Sequence, residues 1–209
     1  MRRLGTGKLV VATHNAGKLA EMAALLAPYG VDVVGAAAMG LPEPEETEDS
    51  YLGNARIKAH AAARATGLPC LADDSGIEVD GLGGAPGVRT ADWAMTPDGR
   101  RDFAMAMRRT WEALEERAIA EPRTARFRAT LVLAWPDGQD IVFEGTSEGR
   151  LVWPPRGVMG HGYDPMFVPA GHSRTFAEMP EAEKNAISHR ADALRRFVGT
   201  VLGRQDTDG

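Results

Sequence analysis

The strongest constraint on this chain is the order of its elements: strand-like and helix-like runs alternate first, and a long hairpin follows. Residues 8–13, Lys-Leu-Val-Val-Ala-Thr, read as a buried strand that is apolar on both sides of the pleat. Residues 15–27 set Leu19, Met22, Ala23 and Leu26 at helical spacing. A short strand is expected at 31–34 and a helix at 50–65. A strand at 70–72 leads into Asp73-Asp74-Ser75-Gly76 and then 77–79, and a longer helix covers 97–120. Residues 125–135 and 140–152 read as an antiparallel pair turned at Pro136-Asp137-Gly138-Gln139, and one or two helices occupy 181–202. This order predicts an α/β chain whose central mixed sheet is flanked by helices.

The 209 residues suffice for one domain, or two lobes sharing a core. Apolar residues at 44% and charged residues at 25% exclude disordered and collagen-like classes. No run approaches the roughly 18 apolar residues of a membrane span. Met1-Arg2-Arg3-Leu4 leads into the first strand without a cleavable-signal pattern. A single cysteine, Cys70, cannot form an internal disulfide, which points to the reducing cytoplasm. With 24 basic against 29 acidic residues the net charge is −5, so no global positive field draws nucleic acid. Any phosphate must be held by a local constellation.

Six segments could supply one. Thr13-His14-Asn15-Ala16-Gly17-Lys18 lies between a strand and a helix, where free amides, the helix dipole and a lysine suit an anion; it reads equally as a capped helix with a solvated lysine. Asp73-Asp74-Ser75-Gly76 offers carboxylates at a strand end, and neighbours on a strand face opposite ways, so one of them enters a given cleft; the same residues also make a turn. The acidic run with Glu45, Glu46, Glu48 and Asp49 is a source of a second metal ligand or a solvated face. Asn54 and Lys58 share one side of the next helix, as an ordinary polar face would. Gly160-His161-Gly162-Tyr163-Asp164-Pro165 combines rings and a carboxylate on a glycine-rich turn. Lys184, His189 and Arg190 concentrate positive charge near a helix start capped by Ser188. The glycines of 81–87 do not have dinucleotide-fingerprint spacing, and the five histidines and Cys70 show no paired zinc spacing.

In this order, Thr13-x-Asn15-x-x-Lys18, Asp73-Asp74-Ser75-Gly76, Gly83-Gly84-Ala85-Pro86-Gly87, Gly162-Tyr163-Asp164-Pro165 and the Lys184 to Arg190 segment with its Ser188-His189-Arg190 resemble the inosine-triphosphatase family over residues 9–202. The resemblance implies an elongated mixed sheet with helices, two lobes of one domain around a nucleotide cleft, and a cytoplasmic homodimer. It implies Mg²⁺-dependent hydrolysis of ITP, dITP or XTP to the monophosphate and pyrophosphate, with no nucleic-acid or membrane partner. Carried over by position, Thr13, His14, Asn15, Ala16, Gly17 and Lys18 would hold the triphosphate, with Lys58 and Ser75 as phosphate or sugar contacts. Glu46 and Asp74 would hold Mg²⁺, and Asp74 would be the general base. His161, Gly162, Tyr163, Asp164, Lys184, His189 and Arg190 would recognise the base.

Three positions depart from the family pattern. His161 stands where a Phe is usual, which implies weaker or more pH-sensitive base binding. Gly53 stands where many relatives have Glu, and Asp92 where Arg is frequent. Two alternatives remain: a broader pyrophosphatase of modified or pyrimidine triphosphates, and a nucleotide-binding module without turnover. A substrate panel separates the first and pyrophosphate release the second. The tail at about 204–209 is expected to be disordered.

Overall fold

The structure is a computed structural model that describes Leu4 and residues 8–202; the expected tail lies outside the described residues, as does most of the lead-in before the first strand. Strands β1 (Lys8–Val11), β2 (Asp32–Gly35), β3 (Cys70–Val79), β4 (Thr124–Ala134), β5 (Asp140–Leu151) and β6 (Phe167–Pro169) accompany helices α1 (Ala16–Leu26), α2 (Tyr51–Thr66), α3 (Phe103–Glu116), α4 (Glu181–Ile187) and α5 (His189–Phe197). The strands form one sheet in the order β2-β1-β3-β4-β5-β6. β1 runs parallel to β2 and β3, whereas β5 and β6 are antiparallel, so the sheet is mixed as expected. β4 and β5 are joined by a tight turn in which the Trp135 amide donates to the Gln139 carbonyl at 2.9 Å.

The chain divides into two compact units, residues 1–74, 129–145 and 190–209 in the first and residues 75–128 and 146–189 in the second. In the first unit β1, the start of β3 and the end of β4 are buried on both faces, which is why they read as continuous apolar runs. Leu9, Val11, Leu71, Leu131 and Leu133 pack on one side with Met22 and Leu26 of α1 and Ala193, Leu194 and Phe197 of α5. Their alternates Val10, Ala12, Cys70, Ala72, Val132 and Ala134 pack on the other against Ala55, Ala59, Ala62 and Ala63 of α2. The alanine-rich helix thereby lies close on the sheet. The second unit has its own core, in which Ile77, Val79, Phe127, Leu151, Tyr163, Phe167 and Phe176 pack with Ala106, Met107 and Leu114 of α3.

Two boundaries differ from expectation. Asp73-Asp74-Ser75-Gly76 is neither a turn nor a strand end: β3 runs through it unbroken. The long helix expected at 97–120 shrinks to Phe103–Glu116, because Thr96 folds back onto Arg100, its hydroxyl donating to the Arg100 carbonyl at 2.8 Å, and Asp102 caps the new start by accepting from the Met105 amide at 2.9 Å.

Candidate functional site

Because side chains alternate along β3, Asp73 shares its face with Leu71 and Asp74 shares the opposite face with Ala72. Asp73 accordingly meets groups carried by α1 and α5. Its Oδ2 lies 2.6 Å from Lys18 Nζ and 3.5 Å from the Arg190 guanidinium, which also pairs with Glu21 of α1. Burial is the largest influence on the Asp73 carboxyl and raises its pKa, but Lys18, Arg190 and Lys58 together outweigh it and hold the group well below the ordinary carboxylate range. Arg190 is 2% exposed. Burial disfavours its charge, and Asp73 and Glu21 more than restore it.

Asp74 faces α2. Lys58 Nζ lies 3.4 Å from Asp74 Oδ1 and 2.7 Å from Glu46 Oε1, so the ammonium is shared by two carboxylates. Burial pushes the Asp74 carboxyl up to about 6; Lys58 pulls it down, and Glu46 and Asp73 add to the rise. Lys58 feels the converse: burial lowers its pKa, and Asp74 and Glu46 outweigh that, so it keeps its proton. Asp74 Oδ2 is buried and has no hydrogen-bond partner. An orphaned anionic oxygen in a buried position calls for a cation or a water donor. Among the described residues no group of three or more His, Cys, Asp and Glu gathers to cage a metal. Mg²⁺ needs no such cage, since one or two carboxylates with water and substrate phosphates complete its octahedron, so Asp74 and Glu46 fit it.

The segment between β1 and α1 is pre-arranged for an anion. Asn15 caps α1, its Oδ1 accepting from the Lys18 amide at 3.1 Å, and the Asn15 amide donates to Thr13 Oγ1 at 3.2 Å. Thr13 therefore keeps its hydroxyl hydrogen, and Asn15 its amide hydrogens, for another acceptor. The Ala16 and Gly17 amides belong to the exposed first turn of the helix, where intrahelical acceptors do not exist. His14 instead turns to the Leu41 carbonyl, to which Nε2 donates at 2.8 Å.

In the second unit Asp164 organises the glycine-rich loop. Its Oδ2 accepts from the His161 amide at 2.9 Å and from Lys184 Nζ at 2.6 Å. Gly160, at φ +75°, leaves the room that Asp164 takes: a methyl group there would collide with Oδ2. The Tyr163 ring is buried, edge-on to Phe103, with its hydroxyl 3.1 Å from Thr110; burial raises that phenol to about 12. His189 is stacked on Phe127 at 4.9 Å.

A family model described as the Ham1 family matches residues 9–200. The chain belongs to the Ham1 family. A Ruegeria pomeroyi protein named dITP/XTP pyrophosphatase is 67% identical over 93% of this chain and 95% of its own length, and one of the same name from Agrobacterium fabrum is 53% identical over 97% and 99%. The solved Ham1 protein of Coxiella burnetii superposes with a TM-score of 0.81 at 38% identity, covering 91% of this chain and 95% of that one. The resemblance drawn from the motif order and the mixed α/β fold are thus borne out.

Within this Ham1 chain the expected phosphate and metal residues, Thr13 to Lys18, Glu46, Lys58 and Asp74, fall in the first unit with Arg190. Ser75, half-buried in β3, and the remaining base-recognition residues fall in the second. There the loop, Asp164 and Lys184 are bonded together, whereas Tyr163 and His189 present their rings to the core. In the first unit Arg190 is committed to Asp73 and Glu21. Sequence reasoning passed over Glu21, the counterion of Arg190, although its place one turn after Lys18 was a signal. Asn54, too, reads in the sequence as part of an ordinary polar face.

Proposed function

We propose that this Ham1 chain hydrolyses the triphosphates of deaminated purines, ITP, dITP and XTP, to the nucleoside monophosphate and pyrophosphate, with Mg²⁺ as cofactor, and so clears them from the nucleotide pool. The reading is carried by Asp74, a buried carboxyl with a pKa near 6 and an orphaned oxygen, beside a lysine shared with Glu46. The names of the relatives support the substrate class.

The Ala16 and Gly17 amides, the Thr13 hydroxyl, the Asn15 side-chain amide and Lys18 bind the phosphate oxygens, and Lys58 adds charge from the other face of β3. Glu46 and Asp74 would hold Mg²⁺, which when bound neutralises phosphate charge and polarises the phosphorus centre. Asp74 Oδ2, buried and without a hydrogen-bond partner, accepts the proton of the attacking water. Ser75 adds a phosphate or sugar contact. The loop 161–164 with Lys184 and His189 recognises the base, whereas Arg190, expected there from the resemblance, is taken up by Asp73 and Glu21. Hypoxanthine and xanthine carry an acceptor oxygen at position 6 where adenine carries a donor, so donors placed there reject adenine by roughly 10⁴-fold.

Among the described residues no helix is long and apolar enough to cross a membrane. A cytoplasmic homodimer without a nucleic-acid partner completes the proposal; sedimentation of the purified protein at twice the chain mass is the expected result. The test of function is incubation with dITP, XTP, GTP and ATP, with and without Mg²⁺, with pyrophosphate and orthophosphate assayed in parallel. Pyrophosphate from dITP and XTP, lost in Asp74→Asn, is expected. Orthophosphate as the product, or equal turnover of ATP, overturns the reading.

A further inference from the structure

Glu46 lies on residues 41–48, a segment without regular secondary structure whose residues 45–48 are exposed. Burial therefore does not fix its path; its attachments do. At one end His14 holds the Leu41 carbonyl. At the other, Asn54 of α2, itself 3% exposed, spends both ends of its amide on one residue. Its Oδ1 accepts from the Glu48 amide at 3.0 Å and its Nδ2 donates to the Glu48 carbonyl at 3.1 Å. The pair imitates the reciprocal bonding of two strands and fixes both the position and the rotation of the Glu48 peptide units.

Gly53 makes the approach feasible. A methyl group at this position would stand 2.5 Å and 2.6 Å from Cβ and Cγ of Glu48, so the segment lies against the helix only because residue 53 has no side chain. Ser50 Oγ, accepting from the Gly53 amide at 3.1 Å, sets the helix start from which Asn54 reaches out. Lys58 follows Asn54 one turn later on the same side of α2, where it meets Glu46.

We propose that Asn54 is a positioning residue: by locking the main chain of Glu48 into the space over Gly53, it holds Glu46 in register with Lys58 and Asp74. The inference rests on the reading of Glu46 and Asp74 as the metal carboxylates. It assigns to a buried amide the task of keeping an exposed carboxylate on its partner, because an outer hydrogen bond of this kind sets the orientation of a ligand.

The test has one arm that needs no metal. Amide exchange is followed at single-residue resolution in metal-free protein; Glu48, though exposed, is expected to be protected relative to Thr47. Asn54→Ala is expected to speed exchange at Glu48 about tenfold, the worth of a hydrogen bond. Asn54→Asp keeps one acceptor but sets an oxygen against the Glu48 carbonyl, and serves also if the alanine variant does not fold. Gly53→Ala is expected to act likewise by pushing the segment away. In the second arm, the Mg²⁺ concentration for half-maximal turnover of dITP is expected to rise about tenfold in these variants, with kcat at saturating Mg²⁺ within about threefold, as for lost outer-shell support of a metal ligand. Gly67→Ala, strained at φ +68° at the far end of α2, is the control, lowering Tm without moving either readout.

Exchange at Glu48 that is fast in the natural protein, or unchanged in Asn54→Ala, overturns the proposal. Faster exchange with an unaltered Mg²⁺ requirement also overturns it, leaving Asn54 a structural clamp. Turnover indifferent to Mg²⁺ in the natural protein would instead sink the metal reading while the exchange arm still decides the anchor.

Discussion

Replacing Asp74 by asparagine should abolish turnover and, in the absence of metal, stabilise the fold at neutral pH. The carboxyl titrates near 6 when folded, against 3.8 for the free side chain. The folded protein therefore holds this proton more tightly than the unfolded chain does. Stability is lost as pH rises through the window from 3.8 to 6, and above it the full penalty of a buried anion is present. A shift of about 2.2 units is worth about 3 kcal/mol. The attraction of Lys58 at 3.4 Å is already contained in that net value, as are the repulsions from Glu46 and Asp73.

Asparagine keeps the shape and does not titrate, so the stability difference between Asp74→Asn and the natural protein isolates this one group. Between pH 4.5 and 8 the variant should gain about 2 kcal/mol relative to the natural chain, because about 1 kcal/mol of the penalty is already expressed at pH 4.5. For a protein of this size that corresponds to a relative Tm rise of about 4–8 °C. Calorimetry in a chelator across this range measures it. A pH-independent difference would refute the reasoning, and a relative loss of stability with rising pH would show that Lys58 outweighs burial. Added Mg²⁺ should then raise the Tm of the natural protein at pH 8 more than that of the variant, which keeps only the Glu46 carboxylate.

Three other substitutions probe the rest of the site. Arg190→Met leaves Glu21 and Asp73 without their shared guanidinium and should cost about 3–5 kcal/mol in urea melts, with Glu21→Gln in the same chain restoring part of it; a loss under about 1 kcal/mol would mean that the buried network carries no weight. Gly160→Ala drives a methyl group into Asp164 Oδ2 and should raise the KM for dITP about tenfold with kcat nearly kept, an effect of misplacing a binding loop that unchanged steady-state kinetics would exclude. In His161→Phe the KM for dITP should fall and vary less between pH 6 and 8 than in the natural protein, because a phenyl ring stacks without a titrating charge; identical profiles would remove His161 from base binding.

The sequence made the first unit legible where a residue's environment is set by its own element. Alternation of Leu9, Val11 and Leu71 with Val10, Ala12 and Cys70 marked strands buried on both faces, and the same rule told that Asp73 and Asp74 would part company. It misjudged the segment between them and Ile77, because Asp, Ser and Gly favour turns in isolation. In the folded chain, β1 and β4 flank β3, and Asp73 and Asp74 gain Lys18, Arg190 and Lys58 as counterions, which overrides local preference. What stayed hidden is what one element does for another. Glu21 and Asn54 look like solvent-facing polar residues on their helices; only the folded chain brings Arg190 across 169 positions to the first, and turns residues 41–48 back so that Glu48 meets the second. A carboxylate on an exposed segment becomes a ligand only if something holds the segment, and the holder need not be charged or close to it in kind. In this chain the charged residues announce the chemistry, while an amide and a missing side chain place one of them.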